Sequence, residues 1–177
     1  EYATTTNDWK LLNYTTDEVN LNTPVSTTTQ INPETGEEEQ IPVTAEGLLT
    51  ANTITIPYSY YQTRSYTYDA QRKVYLRYMN DEPHIDKETN EQLHYKNIII
   101  EQVRNYQLDN EGRQDLDTTG SGDGYYITNG YALPIHWTKS ERSAKTIYTY
   151  TDGSEVEIND GNTFIQIMPT TFTPTIN

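Results

Sequence analysis

The sequence predicts a mainly β fold: an antiparallel meander forming a sandwich or a partly open barrel, preceded by an irregular, Thr-rich N-terminal segment. Three observations predict it. From about residue 50 onward, β-branched and aromatic residues alternate with polar ones at a period of two, the signal of half-buried strands. The chain of 177 residues holds 16 tyrosines but only 33% hydrophobic residues. Tyrosine supplies apolar area with a polar tip, so a sheet built from it is buried while reading as hydrophilic. Finally, Asn129-Gly130 and Asp152-Gly153 stand between such runs, and these dipeptides tolerate the positive φ that two-residue hairpin turns require.

The length suits one domain, or one domain with an appendage. We divide it into residues 1–50, an irregular segment or interdomain connection, and residues 51–177, a β-rich domain. The first part is rich in Thr, Asn and Glu and has no sustained period. Thr15-Thr16-Asp17-Glu18 fits the start of a short helix, and residues 30–43, QINPETGEEEQIPV, read as two extended arms joined by a Pro-Glu-Thr-Gly turn. NPETG resembles a sortase sorting motif. Such a signal precedes an apolar stop and a basic tail, whereas here Glu37, Glu38 and Glu39 follow, which excludes that reading.

Expected strands cover residues 53–58, 64–68 and 74–79, the last two joined by the turn DAQRK. Residues 97–107, NIIIEQVRNYQ, are the most apolar run, and β-branched Ile98, Ile99, Ile100 and Val103 favour strand over helix. Further strands are expected at 114–117, 124–128, 131–138, 146–150, 155–158 and 163–168. Residues 80–96, NDEPHIDKETNEQLHYK, read as a long polar loop, and loops of that length are functional more often than short ones.

Composition excludes several function classes. A formal net charge of -14 with 12 Lys and Arg spread along the chain opposes nucleic acid and anionic membrane surfaces, both of which need concentrated basic charge. The absence of cysteine removes disulfides, thiolate metal sites and cysteine nucleophiles. No apolar run approaches the roughly 20 residues of a membrane span, and the start EYATTTNDW lacks the features of a signal peptide. The chain therefore reads as a soluble, processed or trimmed piece with no direct membrane insertion.

The stretch TGSGDG, with Gly120, Gly122 and Gly124, superficially matches a phosphate loop. A dinucleotide fingerprint needs a helix after the glycines, but Tyr125, Tyr126 and Ile127 continue as strand, and Asp115, Asp117 and Asp123 would repel phosphate. Calcium suits Asp109, Asn110, Glu111, Asp115, Asp117 and Asp123 better as hard oxygen donors. Their spacing does not match an EF-hand, and a solvated turn is the favoured reading. His84, His94 and His136 show no zinc spacing, although an extended His84-Ile85-Asp86 would put two polar groups on one face. For two-carboxylate hydrolysis the acids to test are Asp86, Asp115 and Asp117, near aromatic residues able to stack on sugars. No G-x-S-x-G elbow is present.

Five stretches form an ordered series: Val74-Tyr75-Leu76-Arg77-Tyr78; EPHID at 82–86 with Thr89; Asn97-Ile98-Ile99-Ile100; TTGSGDGYYITNGYALPIHW at 118–137; and NDGNTFIQIMP at 159–169. Together they resemble the C-terminal domain of the YerB-like family of bacterial envelope lipoproteins, found mostly in Gram-positive bacteria, over about residues 52–169. Tyr131 departs from the small or basic residue expected after Asn-Gly, and Phe164 from a tryptophan. The resemblance implies location more than chemistry: export, an N-terminal lipidated cysteine and a second, larger domain, with residues 1–50 as its tail or connection.

The expected function is thus an extracytoplasmic, non-catalytic binding or scaffold module of the cell envelope, at the cell surface or secreted, with an envelope protein or wall polymer as partner. The candidate binding residues are His84, Asp86, Asp115, Asp117, Gly120, Gly122, Asp123, Tyr125, Tyr126 and Trp137; no catalytic residue, metal ligand or cofactor is assigned. Two other functions fit the same residues: a subunit of an extracellular assembly formed by strand addition, and a wall-polymer hydrolase using loop carboxylates.

Overall fold

A computed structural model describes residues 12–177. The reading of EYATTTNDW lies outside the described residues. Among them there is no helix, and the all-β expectation holds.

The N-terminal segment contributes β1 (Tyr14–Thr15), β2 (Ser26–Ile31), β3 (Glu38–Val43) and β4 (Leu49–Thr50). It is more ordered than its composition predicts. Thr15 ends a short strand instead of opening a helix, because Tyr14 and Thr15 pair in parallel with residues 158 and 159. The two predicted arms are β2 and β3, antiparallel in full register from Ser26↔Val43 to Ile31↔Glu38. Asn32 shapes their turn by accepting the N–H groups of Glu34 and Thr35 at 2.9 and 3.3 Å.

A meander follows: β5 (Thr53–Ser59), β6 (Gln62–Asp69) and β7 (Val74–Met79), then the short β8 (Glu82–Pro83) and β9 (His94–Tyr95). The predicted 80–96 loop is therefore structured. Both short strands pair with β7, and between them the chain folds into a small hairpin in which the Leu93 N–H donates to the His84 carbonyl at 2.9 Å. Its backbone groups are paired, so polar composition did not make it irregular.

The central run begins with β10 (Asn97–Val103), continues through the outlying hairpin β11 (Asn105–Gln107) and β12 (Gln114–Leu116), and enters β13 (Gly120–Thr128) and β14 (Tyr131–Lys139). The last elements are β15 (Ile147–Tyr150), β16 (Ile158–Asn159), β17 (Thr163–Pro169) and β18 (Thr175–Ile176). One sheet runs β15-β14-β13-β10-β17 with β4 on β14; the other runs β18-β5-β6-β7-β8 with β9 on β7. The antiparallel meander is broken at one place, since β17 returns to lie parallel to β10 from Asn97↔Thr163 to Val103↔Pro169.

The Ile98-Ile99-Ile100 run follows from this placement. β10 lies between β13 and β17 and is covered on both faces, so it reads as continuous apolar sequence. Ile98 and Ile100 pack with Ile54, Ile56, Tyr66 and Tyr75 of the other sheet. Ile99 points the opposite way, into a second core with Tyr126, Leu133, Ile135 and Trp137 that Leu12, Leu21, Val156 and Ile158 close. Each of these fully buried isoleucines contributes about 1.5–3 kcal/mol.

The segments carrying Leu12, Leu21, Val156 and Ile158 make a third layer over this core, and polar staples hold it in place. Asn159 accepts the Val19 N–H through Oδ1 at 2.6 Å and donates through Nδ2 to the Val19 carbonyl and to Thr128 Oγ1, both at 2.9 Å. Tyr126 donates its hydroxyl to Asn97 Oδ1 at 3.1 Å and accepts the Asn159 N–H at 3.0 Å. At the β13–β14 turn, Asn129 and Gly130 have φ of 50° and 82°, as a type I′ turn demands. Gly130 is fixed by its surroundings too: a Cβ there would lie 3.0 Å from the Tyr68 ring.

Candidate functional site

The glycine stretch predicted as a loop is strand. β13 starts at Gly120 and pairs with β14 from Gly120↔Lys139 onward, because the glycines permit close approach. Gly122 lies opposite Trp137, and a Cβ on it would meet the indole Nε1 at 2.7 Å and the Gln102 carbonyl at 2.8 Å. The indole N–H donates to that same carbonyl at 3.3 Å. Where β13 overhangs the end of β10, a cleft of about 540 Å³ opens, lined by Gln102, Arg104, Asp117, Ser121, Asp123 and Thr170 among others.

Of the candidates read from sequence, Asp117, Gly120, Gly122, Asp123 and Trp137 border this cleft. Trp137 presents only an edge, since the residue is 2% exposed. Asp117 is engaged by Arg104, whose Nε and Nη2 approach one carboxylate oxygen at 2.8 and 2.7 Å. Asp123 faces His136 Nδ1 at 3.1 Å on the exposed rim.

The others lie elsewhere. Asp115 sits on β12 and accepts the Tyr106 hydroxyl at 2.7 Å. Tyr125 is half-buried in the layer between the two sheets. Tyr126 is fully buried and both of its hydroxyl bonds are internal, so it offers no ligand surface. Tyr126 and Trp137, expected among the binding residues, are instead packed in the core that Leu12, Leu21, Val156 and Ile158 close. Among the described residues the most exposed aromatics are instead Tyr60 and Tyr61, 94% and 89% exposed at the β5–β6 turn.

His84 and Asp86 belong to the hairpin beside β7. Asp86 shapes it: Oδ1 accepts the N–H groups of Glu88 and Thr89 at 2.8 and 3.1 Å. These donors hold its carboxyl below the usual value, Thr89 most strongly. Burial, then Arg77 and Arg64, lowers the pKa of His84. His136 stands on the other sheet, in β14, and Asp109 is bound to Arg113 within its own turn. Among the described residues no group of three His, Asp or Glu is placed to share a metal ion.

Sequence reasoning missed Glu101. It is the one acid in the apolar run of β10, 6% exposed, and it accepts the Tyr148 hydroxyl. It borders a pocket of about 350 Å³ with Lys139 and Lys145. Its signal was an acid inside a run that pattern alone assigns to a covered strand. Burial raises its carboxyl above the ordinary value, while the Tyr148 bond and Lys139 act the other way. A carboxyl raised on folding penalises the folded state only after the unfolded chain has lost its proton. Stability therefore falls as pH rises from the ordinary value of 4.5 through the folded value, and then levels. Glu101→Gln is accordingly expected to melt above the wild type at about pH 7 and to lose that advantage by about pH 4, as thermal unfolding at both pH values would show.

Comparison with known proteins now bears on this geometry. A family model described as "Protein of unknown function (DUF3048) C-terminal domain" matches residues 54–165. The chain belongs to this family. A curated relative is YerB of Bacillus subtilis (strain 168), a lipoprotein by name, 27% identical over 104 residues that make up 59% of this chain and 30% of the relative. The crystal structure of the YerB protein from Bacillus subtilis matches with a TM-score of 0.63 at 22% identity, over 80% of this chain and 49% of that one. The chain thus spans half or less of the relatives it matches. The structural match shows a shared fold, and the family match bears out the YerB-like resemblance read from the sequence.

Proposed function

We propose that the chain is a non-catalytic binding or scaffold module of the bacterial cell envelope, acting outside the cytoplasm on an envelope protein or a wall polymer. YerB's name as a lipoprotein supports a surface location anchored at the membrane. The observation that carries the non-catalytic reading is the engagement of the three acids best suited to hydrolysis. Asp86 accepts backbone N–H groups, Asp115 a tyrosine hydroxyl and Asp117 an arginine. Each carboxylate shapes its own turn or hairpin. The contact surface is the cleft between Gln102, Asp117 and Asp123, with Tyr60 and Tyr61 as separate exposed anchors.

The test passes purified wall polymer and detergent-extracted envelope proteins over the immobilised chain. Retention of one of them is expected, without release of soluble fragments, and Ser121→Trp, which fills the cleft, should reduce it at least about tenfold. Release of wall fragments by the wild type that Asp117→Asn abolishes would establish a hydrolase and sink the proposal.

One observation favours the assembly reading as well. Among the described residues the β2–β3 hairpin pairs with no third strand, and Val25 and Ile31 are 67% and 63% exposed, so its edges are open to strand addition. Sedimentation should then depend on concentration and lose that dependence when residues 27–42 are replaced by a short glycine linker. A monomer throughout removes this reading.

A further inference from the structure

On the inner face of the β5–β9 sheet, three cationic side chains gather. Register places Arg77 beside Tyr66 of β6, and Arg64 beside Met79. The β7–β8 pairing, extended by one step, sets His84 across from Arg77, whose carbonyl accepts the His84 N–H at 3.0 Å. Arg64, Arg77 and His84 therefore share one face on three adjacent strands. In a chain of net charge -14, placing three positive groups beside a single acid, Glu82, that none of them pairs with is electrostatically unfavourable. None of the three makes an ion pair among the described residues. Glu82, next in register beside Met79, makes none with them either.

The surrounding groups leave Arg77 and His84 unanswered. Tyr66 donates to Gln166 Oε1 at 2.7 Å, Gln166 Nε2 bonds Tyr58, and Tyr58 donates to the Ile167 carbonyl at 2.5 Å. That chain satisfies itself. Phe164 supports the Arg77 guanidinium from one side, 4.3 Å from ring centre to Cζ, and Arg64 lies over Tyr58 at 6.0 Å. Two buried side-chain polar atoms lack a protein partner among the described residues: Arg77 Nε and His84 Nδ1. They belong to cross-strand neighbours. Buried donors and acceptors are almost always satisfied, so a coincident pair marks a place where something else binds.

We propose that Arg77 and His84, with Arg64 behind them, form an anion site that takes a phosphate-type oxyanion. An oxyanion bound there accepts from Arg77 Nε–H and from His84 Nδ1–H, and its charge is balanced by the two guanidinium groups. The two fixed guanidinium charges match a divalent anion better than a monovalent carboxylate. The Phe164 ring against the Arg77 guanidinium limits its freedom and so preorganises it. The assignment stands on these residues alone and is independent of the envelope reading.

The test titrates inorganic phosphate into the isotopically labelled chain at about pH 6.5, against sodium chloride of equal ionic strength, following the Arg77 Nε–H and His84 ring resonances. Saturable shifts at both are expected with phosphate and none with chloride. Arg77→Met should raise the half-saturating concentration at least about tenfold, the effect of losing one charge-assisted hydrogen bond, while Arg104→Gln in the distant cleft leaves it unchanged. If Arg77→Met does not fold, Arg64→Met and His84→Gln carry the same expectation. No saturable phosphate response would assign the two polar atoms to a bridging water and overturn the site. Tighter binding of acetate than phosphate would overturn the ligand class, and loss of the response in Arg104→Gln would overturn the location.

Discussion

Replacing Gly124 with alanine is expected to destabilise the protein by about 3–5 kcal/mol, a large fraction of an ordinary domain's stability. A Cβ on Gly124 would fall 1.9 Å from the Ile100 carbonyl oxygen and 3.0 Å from its carbon. Both are main-chain atoms of the central strand, so no rotamer change relieves the overlap. Relief requires β13 to move away from β10, and their pairing from Asn97↔Thr128 to Glu101↔Gly124 moves with it. Gly153, in an open turn with nothing within 4 Å of an added Cβ, is the internal comparison. Its replacement carries only the strain of φ 87°, and should cost about 1 kcal/mol. Denaturant unfolding of both variants decides the matter, and equal losses would show that the close approach at Gly124 is relieved at little cost.

Trp137→Ala is expected to cost a similar amount, about 3–5 kcal/mol. The side chain is 2% exposed within the core that includes Ile135 and Tyr148, and its removal leaves a cavity beneath Gly122, which has no side chain to collapse into it. The ligand-facing reading makes the opposite forecast: weaker binding with an unchanged melting temperature. A thermal melt and a retention assay on the same variant separate the two. Trp137→Phe, which keeps most of the buried area but loses the bond to the Gln102 carbonyl, should fall between the variant and wild type.

Those two residues show where sequence reasoning stops. Alternation in TGSGDGYYITNGYALPIHW reveals strands and an Asn-Gly turn, and the turn lies at Asn129 and Gly130 as expected. Alternation gives two faces, however, and says nothing of what covers each. Tyr126 and Trp137 look half-exposed in the sequence because Leu12, Leu21, Val156 and Ile158, which bury them, come from distant and mostly polar segments. Register has the same property. A slip of one residue would exchange the two faces, and the partner that fixes it is set by tertiary pairing. The parallel neighbour of β10 was likewise unreadable, since a strand's pattern does not name its neighbour. Arg77 and His84 are seven residues apart in sequence and face each other only because β8 turns back along β7.

The parallel pairing of β17 with β10 also has a consequence in time. Each sheet recruits a strand from the end of the described chain: β17 joins β10, and β18 joins β5 through Thr175↔Thr55 and Ile176↔Ile54. A chain growing from its N-terminus can form the β5–β6–β7 meander and the β13–β14 hairpin early, since their contacts are local. Until residues 163–176 emerge, β10 presents an unpaired apolar edge, and the entropic cost of closing loops longer than 50 residues is still unmet. Completion is therefore a late and cooperative event, during which the nascent domain is exposed to edge-to-edge association.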